Sequence, residues 1–249
     1  MYLTIRLPFA LVAFAIHLAA FTFISKEVAG SKVSIFYNED KENLQSINNN
    51  TSDISAKYND WQLEQKGVGL EMFSYAMTGF EKLKTHCKLI RENVLTIIDF
   101  SKPSTEKRLF VIDLSNGRLL FSSLVAHGRN SGQLTASSFS NRTHSFESSP
   151  GFYITQQIYL GKHGRSLKLL GCETGINNNA LARGIVLHGA DYVSERFIEK
   201  NGYLGRSQGC PAVPVEMSED IIESIKGGSC FFIYTSSKKY LSASALLKS

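Results

Sequence analysis

Cys210 lies in "LGRSQGCPAVP" (204–214), a stretch in which the cysteine stands between a glycine and a proline. A thiol attacks carbonyl carbon as the thiolate, so a cysteine used this way needs a base or a positive charge beside it. His188 is the best base in the chain: it closes the apolar run of "RGIVLHG" (183–189) and precedes Gly189, the position of a side chain that emerges at the end of a strand, rigidly held yet within reach of a loop. Gly205 and Gly209 give the 204–214 segment backbone freedom and Pro211 stiffens its exit. Amides at Gln208, Gly209 and Cys210 pointing one way would receive a developing oxyanion. Order and spacing favour reading these residues together: His188 precedes Ser207 by eighteen intervening residues, and Ser207 precedes Cys210 by two. The bland readings are a hydrogen-bonded histidine at a strand end and a structural or disulfide cysteine. Four cysteines, Cys87, Cys172, Cys210 and Cys230, would allow two disulfides in an oxidising compartment.

The elements that must position these groups follow from hydrophobic period. Leu70, Phe73, Met77, Phe80 and Leu83 recur at helical spacing and predict a helix with one apolar face. The period then shortens. "VLTIIDF" (94–100), "RLFVIDL" (108–114) and "RLLFSSLVAHG" (118–128) predict strands, with "SNG" (115–117) turning a hairpin. A polar loop spans 129–149, a length at which loops in compact domains are often functional. "GFYITQQIYLG" (151–161), "SLKLLG" (166–171) and "RGIVLHG" (183–189) predict further strands; a helix capped at Asp191 ends at Asn201 and Gly202, "VEMSEDIIESIK" predicts a second, and "SCFFIYT" (229–235) a final strand with Cys230 in or near the core. Many short strands between turns predict a mainly β domain with flanking helices (α+β), a sandwich or barrel rather than βαβ units.

Of the 249 residues 43% are hydrophobic and 11% aromatic, enough for one substantial core with extensions. The net charge of +5 suits an anionic surface, but basic and aromatic residues do not interleave as nucleic-acid platforms require, so no nucleic-acid partner is expected. Arg6 followed by an apolar run from Leu7 to Ile24 reads as an export signal or an uncleaved signal anchor over 1–29, with membrane contact only through that segment and the rest periplasmic or otherwise extracytoplasmic. Residues 30–68 read as a polar linker, 69–236 as the folded domain and 237–249 as a polar tail. His127, in "VAHGRNSG", also ends an expected strand before a glycine and is a candidate for the substrate cleft. Tyr153 is core or cleft wall. His144 sits in the polar loop and reads as solvent-exposed. No ligand spacing supports a metal, and no cofactor is expected.

The His188, Ser207-x-Gly209-Cys210 pattern and its flanks, "SYAMTGFEKL", "VIDLSNGRLLFSSLVAHG" and "IVLHGADYVSERFIEKNGYLGRSQGCPAVP", resemble the L,D-transpeptidase catalytic domain (YkuD-like), in its divergent murein L,D-transpeptidase branch. The resemblance covers about Met72 to Tyr234. It implies a β-sandwich-like catalytic domain whose cysteine attacks a peptide carbonyl in the peptidoglycan stem. Carried over by position, Cys210 is the nucleophile, His188 the base and later acid, the Gly189 carbonyl the group that orients the imidazole, Ser207 the residue that holds the loop, and the amides at Gln208, Gly209 and Cys210 the oxyanion hole. A thioester at the third stem residue, resolved by an amine of a neighbouring stem, gives a 3-3 cross-link. Resolution by water would make the enzyme an L,D-carboxypeptidase. The family often carries His at the position of Gln208 and Asn or Arg after the cysteine, where this chain has Pro211 and Ala212. Arg206 or Arg183 would supply the missing carboxylate contact through a bidentate fork. The rival from another class is a disulfide-stabilised cell-wall binding module.

Overall fold

The computed structural model describes residues 52–86, 89–162 and 164–248; the expected signal or anchor over 1–29 lies outside them. Helix α1 (52–60) and helix α2 (Leu70–His86) precede strands β1 (Arg91–Asp99), β2 (Leu109–Asp113), β3 (Arg118–Ser123), β4 (Gly151–Gly161), β5 (Gly164–Gly171) and β6 (Val186–Gly189). Helix α3 (Glu195–Asn201), strand β7 (Ala212–Val213), helix α4 (Val215–Ile225), strand β8 (Ser229–Tyr234) and helix α5 (Lys238–Ala243) complete the described chain.

The eight strands form one sheet in the order β3-β2-β1-β8-β4-β5-β6-β7. Most neighbours are antiparallel, as short connections demand, but β1 pairs β8 and β6 pairs β7 in parallel. The expectation that βαβ units would be absent is corrected at β6-α3-β7, where the connection 190–211 is too long for a hairpin and carries a helix. The two edges of the sheet meet. Just beyond β3, the Ala126 amide donates to the Ala212 carbonyl at 2.8 Å and the Ala212 amide donates back at 3.3 Å, so the chain after edge strand β3 pairs with edge strand β7 and the sheet curls on itself.

One face is covered by α2. Met72, Phe73, Ala76, Met77, Phe80 and Leu83 pack onto Leu95, Phe110, Phe152 and Phe232, each buried Leu, Met or Phe side chain contributing about 1.5–3 kcal/mol. Phe152 and Phe232 stack at 4.1 Å. Gly79 makes the approach possible, because a Cβ there would sit 2.0 Å from the Phe152 ring. The other face encloses a second core in which Ile98 and Val111 from one half of the sheet meet Leu187 and Val213 from the other, closed by Ile221, Ile222 and Ile225 of α4.

Two polar segments are more ordered than the sequence predicts. The linker expected up to residue 68 is helix and turns from residue 52 onward, because Ile54, Tyr58, Leu63 and Val68 all enter the α2-side core. The expected tail contains α5, whose Tyr240 is buried; the Tyr240 hydroxyl donates at 3.3 Å to the buried Glu173 carboxylate, which also accepts from Ser244. Helix α3 is capped by the Ser194 side chain, not by Asp191, and ends before Gly202 as expected.

Candidate active site

Strand β6 delivers the imidazole. His188 pairs in register with Ala212 of β7, two residues beyond Cys210, so the parallel ladder brings the histidine's own backbone alongside the exit of the cysteine loop. Both side chains line one cavity of about 520 Å³. The His188 Nδ1–H donates to the Gly189 carbonyl at 2.9 Å, the contact that the family resemblance implies. That bond leaves Nε2 as the basic nitrogen.

The cysteine loop is shaped by Ser207. Its hydroxyl donates to the Cys210 carbonyl at 2.6 Å and accepts from the Gly209 amide at 3.0 Å, closing a turn in which Gly209 adopts φ +120°, a value that strains any residue with a side chain. The Gly209 amide is thereby directed at Ser207, away from the oxyanion role expected of it. Gln208 is exposed at the cavity. Cys210 and Cys230 carry free thiols, and Cys230 lies in the α2-side core. The Cys210 thiol is half-buried and donates to the Gly184 carbonyl at 3.6 Å. Burial pushes its pKa up, opposed by the Val186 amide and the Arg183 charge, so the resting group is a neutral thiol.

The long loop 129–149 walls the cavity and is stitched to the cysteine loop. The buried Ser148 hydroxyl accepts from the Gly128 amide at 3.0 Å and donates to the Gly209 carbonyl at 3.1 Å. Ser131 accepts from the Ser148 amide at 2.8 Å. Arg129, His144 and Phe146 line the cavity, with Arg129 stacked 4.0 Å over the Phe146 ring. His144 and Phe146 have φ values of 59° and 56°, a backbone state that costs about 1–3 kcal/mol for such residues and clusters at functional sites. The length of the loop signalled a role. Nothing in its local pattern singled out these three side chains.

The four residues expected to contact substrate fall differently. Arg206 lines the cavity, exposed, with one bond of 3.2 Å to the Gly132 carbonyl. Arg183 also lines it, but its two terminal nitrogens are occupied by acceptors of the 140–149 segment, so the expected fork onto a carboxylate is already filled by protein. His127 is not at the cleft. It is fully buried, its Nδ1 accepting from Arg108 at 2.8 Å and its Nε2–H donating to the Gly132 carbonyl at 3.2 Å. Burial first, and the Arg108 charge second, hold its pKa down at about 4. Its backbone nevertheless serves the site, since its carbonyl accepts from the Ser207 amide at 3.0 Å. Tyr153 is core and no cleft wall: it is fully buried, with its hydroxyl donating to the Ser149 carbonyl at 2.9 Å.

Arg108, which the sequence did not single out, is the hidden anchor of this end. Fully buried, it donates from Nε and Nη2 to the Val125 carbonyl and from Nη1 to the Lys102 carbonyl at 2.7–3.0 Å, and its guanidinium lies 4.8 Å from the Phe100 ring centre. Burial lowers its pKa to about 9, still charged at neutral pH. Among the described residues no group of three His, Cys, Asp or Glu is placed to hold a metal ion.

A family model described as L,D-transpeptidase catalytic domain matches residues 64–234. Among solved structures, an L,D-transpeptidase from Mycobacterium smegmatis is 12% identical with a TM-score of 0.36, over 57% of this chain and 59% of that one. An L,D-transpeptidase from Stackebrandtia nassauensis is 13% identical with a TM-score of 0.36, over 67% and 68%. The helical cell shape determining protein Pgp2 from Campylobacter jejuni is 14% identical with a TM-score of 0.40, over 68% and 59%. A search of curated proteins finds no match.

Proposed function

The chain belongs to the L,D-transpeptidase catalytic domain family, and from that premise we propose that it is an exported cysteine transpeptidase that joins peptidoglycan stem peptides. The observation that carries this reading is the meeting of the Ser-Gln-Gly-Cys loop with the end of β6, which lines one cavity with Cys210 and a histidine whose Nδ1 is held by the Gly189 carbonyl. The cavity wall supports an anionic substrate: Arg129, Lys162, Arg183 and Arg206 contribute to it, and none of its described lining residues is Asp or Glu. The free thiol of Cys210 argues against the disulfide-stabilised module.

In the proposed reaction His188 Nε2 takes the thiol proton as the sulfur attacks the carbonyl of the third stem residue. A thiol raised by burial makes this transfer part of the attack, not a standing ion pair. The oxyanion is met by the amides of Gln208 and Cys210, the Gly209 amide serving the turn instead. Collapse breaks the bond to the terminal D-alanine, which leaves with the proton returned by the imidazolium, and a thioester remains on Cys210. An amine of a neighbouring stem, deprotonated by His188, attacks that thioester; sulfur leaves, is reprotonated, and a 3-3 cross-link results. Arg206, at the rim, binds a stem carboxylate, and residues 1–29 direct export.

Purified disaccharide tetrapeptides incubated with the full chain are expected to give cross-linked dimers and free D-alanine by mass spectrometry, with a transient acyl adduct on the Cys210 peptide. Tripeptide monomers without dimers would reassign the reaction to hydrolysis, and neither product would refute the proposal.

A further inference from the structure

Arg183 precedes β6 and reaches across the cavity wall. Its Nη1 donates to the Ser140 carbonyl at 2.7 Å and to the Ser149 hydroxyl at 2.6 Å; its Nη2 donates to the Ser145 hydroxyl at 3.1 Å and to the Glu147 carbonyl at 2.6 Å. Four of the five N–H groups of a planar fork thus serve one ten-residue segment, which is not how a solvated surface arginine behaves. The same guanidinium lies against the cysteine loop: a Cβ built on Gly209 would come within 3.3 Å of Nη2 and 2.8 Å of the Glu147 carbonyl. Arg183 and Cys210 line the same cavity.

We propose that Arg183 is a positioning residue that fastens the 140–149 segment to the chain leading into β6, against the nucleophile loop, and fixes a positive charge beside Cys210. The proposal rests on reading Cys210 as the nucleophile, and it replaces the substrate-carboxylate role for this arginine, since a carboxylate would have to displace four protein acceptors. The electrostatic coupling is reciprocal: burial raises the Cys210 thiol pKa and the Arg183 charge opposes it, while burial lowers the Arg183 pKa and the Tyr153 and Cys210 anions oppose that. His188 lines the same cavity as the thiol, as does Tyr192, whose burial and proximity to Cys210 push its own pKa up; Tyr153 and Glu147 act on Arg183. A guanidinium ordinarily titrates well above a thiol.

The two halves of the proposal are separated by two variants of the full chain. Arg183→Gln removes charge and fork; Arg183→Lys keeps the charge and loses the fork. Alkylation of Cys210 by iodoacetamide, followed on its own peptide by mass spectrometry, is expected to shift its pH midpoint up by about one unit in Arg183→Gln, roughly a tenfold loss of thiolate at fixed pH, and to hold near wild type in Arg183→Lys. Amide hydrogen exchange over 140–149 should accelerate in both. A midpoint unchanged in Arg183→Gln, a midpoint in Arg183→Lys that moves as far as in Arg183→Gln, or exchange over 140–149 unchanged in either variant would overturn the proposal. If Arg183→Gln does not fold, the lysine variant decides on its own midpoint and exchange. Neither readout uses a stem peptide, so shifted midpoints without any muropeptide product would sink the transpeptidase reading and leave this one standing.

Discussion

Under α2 the sheet is held by rings and aliphatic side chains, with Phe152 stacked on Phe232 and Gly79 letting the helix down onto them, whereas around the cavity it is held by arginines and serines. Arg108 gathers the carbonyls of Val125 and Lys102 with the ring of His127, Arg183 gathers the 140–149 segment, and Ser148 and Ser207 tie the cysteine loop. Apolar packing is non-directional and resists most single losses by a few kcal/mol. Hydrogen bonds contribute about 1 kcal/mol each but fix angles. One end of the molecule therefore supplies stability and the other supplies geometry, and mutations in the two regions should separate these quantities.

The sharpest form of that comparison pairs Cys210→Ala with Phe152→Ala. Loss of the sulfur is expected to lower transpeptidation at least about 10⁴-fold while leaving the melting temperature within about 2 °C, since a half-buried thiol contributes little packing. Phe152→Ala should cost about 3–5 kcal/mol in urea unfolding, with the folded fraction still alkylated at Cys210. If Cys210→Ala destabilised the protein as much as Phe152→Ala, or left turnover intact, the division between the regions would fail.

A second measurement acts through pH. His127 is neutral in the fold, with a pKa of about 4 against about 6.5 in an unfolded chain. The unfolded state binds the proton more readily, so the stability from burying a neutral imidazole is complete above about pH 6.5 and is lost as pH falls toward 4, with a ceiling on the order of 3 kcal/mol. Urea unfolding between pH 7.5 and 4 should show this loss in the wild-type chain and not in His127→Gln. Parallel curves would mean that the histidine is not the acid-labile joint at the cavity end.

These regions differed in how far they could be read from sequence. Helix α2 and most strands were legible because their apolar residues repeat at short period, and the cysteine loop was legible as a turn because Gly, Ser and Pro mark it. His127 and His188 show the limit: each ends an apolar run and precedes a glycine, yet one faces the cavity and the other is sealed against Arg108. What separates them is a cation from β2's approach hydrogen-bonded to Nδ1 of His127, a contact over 19 positions. The same holds for the parallel pairs, the joining of the sheet edges through Ala126 and Ala212, and the burial of Ile54, Tyr58 and Tyr240 from polar stretches. Each depends on partners far along the chain, which local period does not encode.

The smallest expected effect lies at the rim. Arg206 is exposed, makes one long bond to the Gly132 carbonyl, and has its guanidinium 5.5 Å from the Tyr203 ring centre, so removing it should leave the melting temperature unchanged. Its charge faces an open cavity, where an ion pair with a substrate carboxylate is screened by salt and contributes to binding more than to the chemical step. Arg206→Gln is accordingly expected to raise KM for the tetrapeptide donor about five- to tenfold with kcat within about twofold, and the increase should shrink as ionic strength rises from 0.05 to about 0.5 M. An amidated donor lacking the matched carboxylate should be insensitive to the substitution. A fall in kcat with KM unchanged would move Arg206 from substrate capture to the support of the cysteine loop, and would join it to Arg183 and Arg108 among the residues that supply geometry.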